Sequence, residues 1–135
     1  MAGSVRWLVD KRVILIEVTS ALTLEDFVEI NEQMERNHQE GIAPIHEIVD
    51  SRGLITVNVN PLQIRSTLKY MSSPKWGWGI FVTESRLSGM LAAIVYQMTR
   101  HRHKIVRTLE EAAEHLEEVG ETLAGALLES VRSLP

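Results

Sequence analysis

The feature that most constrains this fold is a repeated switch along the chain from a β-type run to a helix-type run. The clearest switch follows the short run 104–106, where Thr108 and, three residues later, Glu111 form a capping box. Apolar side chains then recur with helical spacing at Leu109, Ala112, Ala113 and Leu116. A chain built from such units is predicted to form an open α/β domain, a fold that hosts many functions.

The same reasoning predicts a single domain over residues 1–135 with the element order β-β-α-β-α-β-α-β-α. The predicted strands are 5–9, 12–19, 45–50, 78–83 and 104–106, and the predicted helices begin after Thr23, Asn60, Ser85 and Thr108. The first two strands are expected to form a hairpin. Right-handed crossovers then make the later strands largely parallel, so the prediction is a mixed sheet of five strands flanked by helices on both faces.

A last amphipathic stretch, 121–133, follows these units. Its apolar stripe consists of Leu123, Leu127, Leu128 and Val131. Two interpretations stay open: the stripe packs on its own domain, or it forms the interface of a homodimer.

Composition excludes several classes of protein. The absence of cysteine excludes disulfides, thiolate metal sites and cysteine nucleophiles, and permits a reducing compartment. A net charge of -4 argues against a general nucleic-acid binder. No secretory signal is visible at the N-terminus, and the longest apolar helical segment, 87–98, is too short to span a bilayer. We therefore expect a cytoplasmic protein with no membrane span and no nucleic-acid partner.

Catalytic motifs are missing from the sequence. It contains no Gly-x-Ser-x-Gly elbow, no phosphate-binding loop with Gly-Lys-Ser/Thr and no His-Glu-x-x-His. His101 and His103 are spaced as two ligands on one strand face, but zinc requires three or four donors and the flanking cations of the run 100–104 repel a metal. A solvated loop or a contact with an acidic partner is the preferred interpretation. We expect no enzyme, no metal site and no cofactor.

Two helix starts carry a resemblance to a known family. The segment 23–26 (Thr-Leu-Glu-Asp) opens a helix after the long second strand, and 108–112 (Thr-Leu-Glu-Glu-Ala) opens the helix after the last strand. With the strand order, these segments make residues 5–119 resemble the STAS superfamily, and more closely its bacterial SpoIIAA-like branch. The resemblance implies a non-enzymatic α/β domain that works by docking partner proteins or small molecules.

Members of this superfamily that antagonise anti-sigma factors carry a strand ending in Asp, a Gly three residues later, and an Asp-Ser-Ser-Gly turn whose serine is phosphorylated. Asp50 and Gly53 match the first two landmarks, but the residues 58–61 (Asn-Val-Asn-Pro) fall on the turn, so both serines are lost. We therefore expect a regulatory interaction domain without this phosphorylation switch. The predicted partner-binding loop consists of Asp50, Ser51, Arg52, Asn58 and Asn60, for which ordinary turn and cap chemistry is the alternative.

The alternative function is a carrier or sensor of a small lipid-like or anionic ligand. An anion site is suggested by residues that follow strands beside helix N-termini, namely Arg52, Ser85, Arg86 and Arg107, although carboxylates at the same helix starts could neutralise the arginines. An apolar site is suggested by Met71, Trp76, Trp78 and Met90, because glycines beside the tryptophans could leave room for a flat ligand. The alternative for this second set is ordinary core packing.

Overall fold

Five strands of the sheet lie in the same order in space as along the chain. The computed structural model describes residues 3–54, 56–119 and 126–134. The strands are β1 (Gly3–Val9), β2 (Val13–Val18), β3 (Ile45–Asp50), β4 (Trp76–Val82) and β5 (His103–Val106). β1 pairs with β2 in antiparallel fashion, and the other three pairs are parallel. The predicted hairpin and mixed α/β sheet are confirmed.

Four helices begin where the sequence signals place them, and a fifth lies within the amphipathic stretch 121–133. They are α1 (Leu24–Glu40), α2 (Pro61–Thr67), α3 (Arg86–Met98), α4 (Leu109–Val119) and α5 (Ala126–Arg132). Thr23 and Asn60 each form a reciprocal capping box at the start of their own helix. The Ser85 side chain accepts a hydrogen bond from the backbone N–H of Ser88. Across the described residues, no helix combines the length and apolarity that crossing a membrane requires.

One predicted helix is shorter than expected. The sequence pattern places Ile64, Leu68 and Met71 on the inner side of one helix that residues 72–74 close, but α2 ends at Thr67 and a 3-10 helix follows at Lys69–Ser72. The break lies at Leu68, whose ψ of 70° is not helical. Leu68 and Met71 are both buried, so the change of helix type keeps the predicted apolar side chains directed inward.

Two apolar cores lie on opposite faces of the sheet. Ile14 and Ile16 of β2 pack in the core beneath α1, α2 and α3, whereas Val13 and Leu15 pack in the core beneath α4 and α5. We call these the cavity face and the α4 face. The predicted cover of helices on both faces is thereby confirmed, and it explains why β2 is apolar almost without interruption.

The C-terminal stripe packs on its own domain where the structure describes it. Leu127 is fully buried in the core of the α4 face, and Leu128 and Val131 pack against it. Leu123 lies outside the described residues, as does the whole stretch 120–125.

A β-bulge separates the two tryptophans of β4. The pairing of β3 with β4 shifts register between Ile45 and Glu47, and the backbone N–H of Trp78 donates to Nδ1 of His46 at 2.9 Å. As a result Trp76 packs on the cavity face and Trp78 on the α4 face, although regular strand alternation would put residues two apart on the same side.

Replacing Leu116 by alanine is expected to lower the free energy of unfolding by about 2–5 kcal/mol, because this side chain of α4 is fully buried against the sheet. Urea denaturation measures the change. Glu114→Ala on the exposed side of the same helix is the control, and its effect should stay within about 0.5 kcal/mol. Equal effects of the two substitutions would contradict the packing of α4.

Candidate functional site

A small cavity lies between the sheet and the helices of the cavity face. Its volume is about 100 Å³. Most of the wall is apolar, with contributions from β2, α1, α2 and α3 through Ile16, Phe27, Ile64 and Val95. A cavity of this size accepts a small apolar group, and an apolar wall does not offer water the hydrogen bonds it needs.

The polar part of the wall is a carboxyl group held between two tyrosines. The hydroxyl of Tyr70 donates to Oε1 of Glu47 at 2.8 Å, and the hydroxyl of Tyr96 donates to Oε2 at 2.9 Å. All three side chains line the cavity and all three residues are buried. We call these residues the Glu47 cluster.

Burial sets the protonation of this cluster. Desolvation raises the pKa of Glu47 to about 7, against the lowering effect of the hydrogen bonds from Tyr70 and Tyr96. Desolvation and the neighbouring carboxylate raise the pKa of both tyrosines well above the ordinary value, so their hydroxyls keep their protons. The cavity therefore contains a carboxyl group that changes charge near neutral pH.

The position of each member follows from the element that carries it. Glu47 lies on the central strand β3, paired with Ile14 on one side and Gly79 on the other. A Cβ at position 79 would come within 2.6 Å of the Tyr96 ring, so the glycine provides the space that lets this ring approach Glu47. The backbone N–H of Tyr70 donates to Oδ1 of Asn31 at 3.0 Å, which fixes the 3-10 helix to α1.

Further aromatic rings support the two tyrosines. Trp76 contacts Tyr70 and Tyr96 with ring centroids 5.8 Å and 6.3 Å apart, and His101 lies 4.3 Å from the Trp76 ring. His103 stacks on Tyr96 at 5.1 Å with an interplanar angle of 11°. These contacts restrict the tyrosine rings and so hold their hydroxyls on the carboxyl group.

The cluster can accept further hydrogen bonds but has none left to donate when Glu47 is ionised. Each tyrosine has a single hydroxyl proton, and both protons are directed at the carboxylate. The lone pairs that remain on the phenol and carboxylate oxygens are acceptors. A ligand group that donates a hydrogen bond, such as a hydroxyl or an amine, matches this arrangement.

The predicted partner-binding loop is largely engaged in its own local structure. Nε and Nη2 of Arg52 donate to the two carboxylate oxygens of Asp50 at 2.9 Å and 3.0 Å. The hydroxyl of the buried Ser51 donates to the backbone oxygen of Val82 at 2.8 Å, and Asn60 caps α2. Asn58 is exposed. Turn and cap chemistry thus accounts for Asp50, Arg52 and Asn60, and a hydrogen bond to the neighbouring strand accounts for Ser51.

The predicted anion site lies at the carboxyl ends of the parallel strands, as expected. Carboxylates lie near Arg52 there: the hydrogen bonds that Arg52 donates to Asp50 raise the pKa of Arg52, and Glu84 and Glu17 act in the same direction. The side chain of Ser85 caps α3, Arg86 is exposed, and the backbone N–H of Arg107 donates to Glu111 at 3.3 Å. The ion pair of Arg52 corresponds to the alternative, in which carboxylates of the protein itself neutralise the arginine.

The structure does not bring together the four residues of the predicted apolar site. Met71 lines the cavity, whereas Met90 is exposed and the two tryptophans lie on opposite faces. Nor do the glycines of β4 leave room for a ligand. The ring of His46 fills the space beside Gly77, and the ring of Tyr96 fills the space beside Gly79. The expected space is therefore occupied by the protein itself, because the bulge directs the two glycines to different faces.

His101 and His103, for which a solvated loop or a contact with an acidic partner is predicted, make local contacts, and His103 is the first residue of β5 rather than part of a loop. Nδ1 of His101 lies 2.7 Å from Oγ1 of Thr99, and Nδ1 of His103 lies 3.0 Å from the backbone oxygen of His101. Within the part of the chain that the structure describes, no group of three His, Cys, Asp or Glu side chains could hold a metal ion.

The sequence interpretation did not identify the Glu47 cluster as a site. One signal was available, because Glu47 lies in the middle of the predicted strand 45–50, directly before the apolar pair Ile48 and Val49, and a carboxylate buried on a central strand needs partners. The tyrosines carried no comparable signal, since a buried tyrosine is ordinary core.

Comparison with known proteins bears on the fold. No family model and no curated protein matches the chain. Among solved structures, the chain is similar to an uncharacterized protein from the DUF3478 family with a SpoIIAA-like fold, from Shewanella loihica PV-4. The sequences are 15% identical, the TM-score is 0.65, and the match covers 85% of this chain and 92% of the other. The fold that the STAS resemblance implied is confirmed.

The pH dependence of stability provides a test of the buried carboxyl group. Between pH 4.5 and about 7 the unfolded chain has an ionised Glu47 while the folded protein keeps the proton. The stability that the neutral carboxyl contributes is therefore fully present below pH 4.5 and is lost as the pH rises through about 7. Relative to Glu47→Gln, the wild-type free energy of unfolding should fall by about 3 kcal/mol over this window, as measured by urea denaturation.

Two buried histidines change stability in the opposite direction. Burial lowers the pKa of His38 and of His46 to about 4, so the stability they contribute is lost as the pH falls below 6.5. Both are present in wild-type protein and in the Glu47→Gln variant, so their effects cancel in the difference. Glu114→Gln, at an exposed carboxylate, should give a flat difference. A flat difference for Glu47→Gln would contradict the buried titration.

Proposed function

We propose that this SpoIIAA-like domain binds a small, largely apolar ligand that carries one hydrogen-bond donor, such as an alcohol or an amine, and that it does so without catalysis. The single observation that carries the proposal is the Glu47 cluster in the wall of an apolar cavity. Of the two ligand classes expected from the sequence, this cavity favours the lipid-like class over the anionic one.

The energetic cost of the cluster supports a role in binding. A buried carboxylate loses its hydration, and well-packed apolar side chains in its place are often neutral or stabilising. An unfilled cavity also reduces stability, because its wall lacks packing partners. A position that has both of these costs, and a pKa of about 7 where 4.5 is ordinary, has the properties of a ligand site.

The donor preference follows from the hydrogen-bond capacity of the cluster. A carboxylate or phosphate ligand would place negative charge beside Glu47 and would compete with it for the tyrosine protons. A hydroxyl or amine would instead donate to a lone pair that is already in the cavity wall. The space in the cavity, about 100 Å³, limits the group bound there to a small one.

The composition of the wall supports binding rather than catalysis. Among the described residues that line the cavity there is no lysine, arginine or histidine to polarise a substrate. The hydroxyl of Ser51 donates to a backbone oxygen, and no base accepts its proton. Glu47 is the one ionisable acid there, and both of its oxygens already accept hydrogen bonds.

Four probes of one shape test the proposal: benzyl alcohol, benzylamine, benzoate and toluene. At a pH one unit above the pKa of about 7, chemical-shift titration should show that the alcohol and the amine bind more tightly than toluene, by roughly threefold to tenfold, and that benzoate does not bind. Glu47→Leu should abolish the preference for the alcohol over toluene. Glu114→Leu, at an exposed site, is the matched control.

Two results would contradict the proposal. One is the absence of saturable shifts at cavity residues with any of the four probes. The other is an unchanged preference for the alcohol in Glu47→Leu, provided that the variant retains the wild-type amide spectrum outside the cavity.

A regulatory docking module is the second candidate function. It rests on the SpoIIAA-like fold and on the exposure of Asn58 at the end of a loop that is otherwise held by Asp50, Ser51 and Asn60. We expect Asn58→Arg to abolish recovery of a specific protein partner while the melting temperature stays unchanged. Glu114→Arg on the α4 face is the control, and a partner recovered equally by both variants would reject this loop as the docking site.

A further inference from the structure

The outer face of α2 and α3 exposes large apolar side chains. Leu62 of α2 is 67% exposed, and Leu87, Met90 and Ile94 of α3 are 77%, 58% and 44% exposed. The three residues of α3 are spaced by three and four positions, so they form one stripe along the helix, and α2 packs beside α3. We call these four residues the apolar stripe.

Cations surround this stripe. Arg86 is the first residue of α3 and Arg100 follows its last turn, so the two lie at opposite ends of the helix. A groove between α2, the 3-10 helix and the end of α3 is lined by Arg65, Lys69 and Arg100, and no carboxylate of the described residues lines it. All four cationic residues are exposed.

This local positive charge contrasts with the rest of the chain. Residues 51–109 contain nine Lys and Arg but a single carboxylate, Glu84, in a protein whose net charge is -4. The helices α1 and α4 are rich in glutamate, so the negative charge lies on other elements. The α2–α3 face is therefore both apolar and cationic, and the protein has a strong separation of charge.

We propose that the α2–α3 face docks on the surface of an anionic lipid bilayer. Leucine, methionine and isoleucine enter the boundary between headgroups and acyl chains, while arginine and lysine at the edges interact with anionic headgroups. Docking on the surface of a bilayer requires no membrane-spanning segment, in keeping with the absence of such a helix among the described residues.

A lipid surface explains both the exposed apolar side chains and the positive charge of the face, whereas other anionic partners explain only the charge. A nucleic acid would use the cations but would leave the four apolar side chains in water or against phosphates. An acidic protein would match the charge, but nothing in the apolar stripe selects for it. The proposal is independent of ligand binding, although the inner sides of the same helices contribute Ile64, Leu91 and Val95 to the cavity wall.

Vesicle flotation with the full chain tests the proposal. Vesicles of phosphatidylcholine alone are compared with vesicles of equal parts phosphatidylcholine and phosphatidylglycerol. We expect binding to the anionic vesicles, weakened by added salt, and little binding to the neutral ones. The paired change Arg65→Gln with Lys69→Gln should weaken binding by roughly fivefold per cation removed.

The apolar contribution needs a separate variant with a matched control. Leu87→Gln with Met90→Gln should reduce binding to the anionic vesicles by at least the loss caused by the cation pair. Leu24→Gln with Val28→Gln is the control, because these residues of α1 are also exposed, at 43% each, but lie among carboxylates. Since all four positions are exposed, the variants should fold, which the melting temperature checks.

Three results would overturn the proposal. One is no binding to anionic vesicles. A second is binding that the Leu87 and Met90 substitutions leave unchanged, which would identify a purely electrostatic surface. The third is retention of the protein by a DNA duplex or by polyglutamate at a salt concentration that releases it from vesicles, which would identify a polyanion as the partner.

Discussion

The carboxyl group of Glu47 connects three elements that are far apart in the chain. It extends from the central strand, and each of its oxygens accepts a hydrogen bond from a tyrosine hydroxyl on a different segment. Tyr70 lies on the 3-10 helix and Tyr96 lies on α3. Since the cavity lies between the same elements, its shape depends on these two hydrogen bonds. The aromatic contacts of Trp76 then hold both tyrosines in place, and the hydrogen bond that the backbone N–H of Tyr70 donates to Asn31 holds the 3-10 helix.

Local signals made most of the fold predictable from the sequence. Helix starts at Thr23, Asn60 and Ser85 were visible because a cap is decided by residues within one turn. The apolar run of β2 predicted helices on both faces of the sheet, because a strand that is buried on both sides is almost continuously apolar. The bulge in β4 could not be predicted, because it depends on how the backbone of Trp78 meets His46, which lies 32 residues earlier.

The candidate site was less predictable than the fold for the same physical reason. The two hydrogen bonds of the Glu47 cluster join residues 23 and 49 positions apart, so no short segment contains the site. The contacts of the predicted partner-binding loop, in contrast, are local in sequence. Asp50 and Arg52 are two positions apart and meet in an ion pair, which is the local turn chemistry that the sequence analysis kept as the alternative.

The ring of Tyr96 occupies the space that a side chain at Gly79 would need. This has an evolutionary consequence. Any side chain at position 79 would displace the ring at 96 and with it one of the two hydroxyls on Glu47. Substitution at either position therefore changes the constraint on the other, and a lineage that loses the glycine must also change the aromatic residue, the carboxylate, or both. The three positions are expected to be inherited as a unit, although one member of the unit makes no hydrogen bond to the carboxyl group.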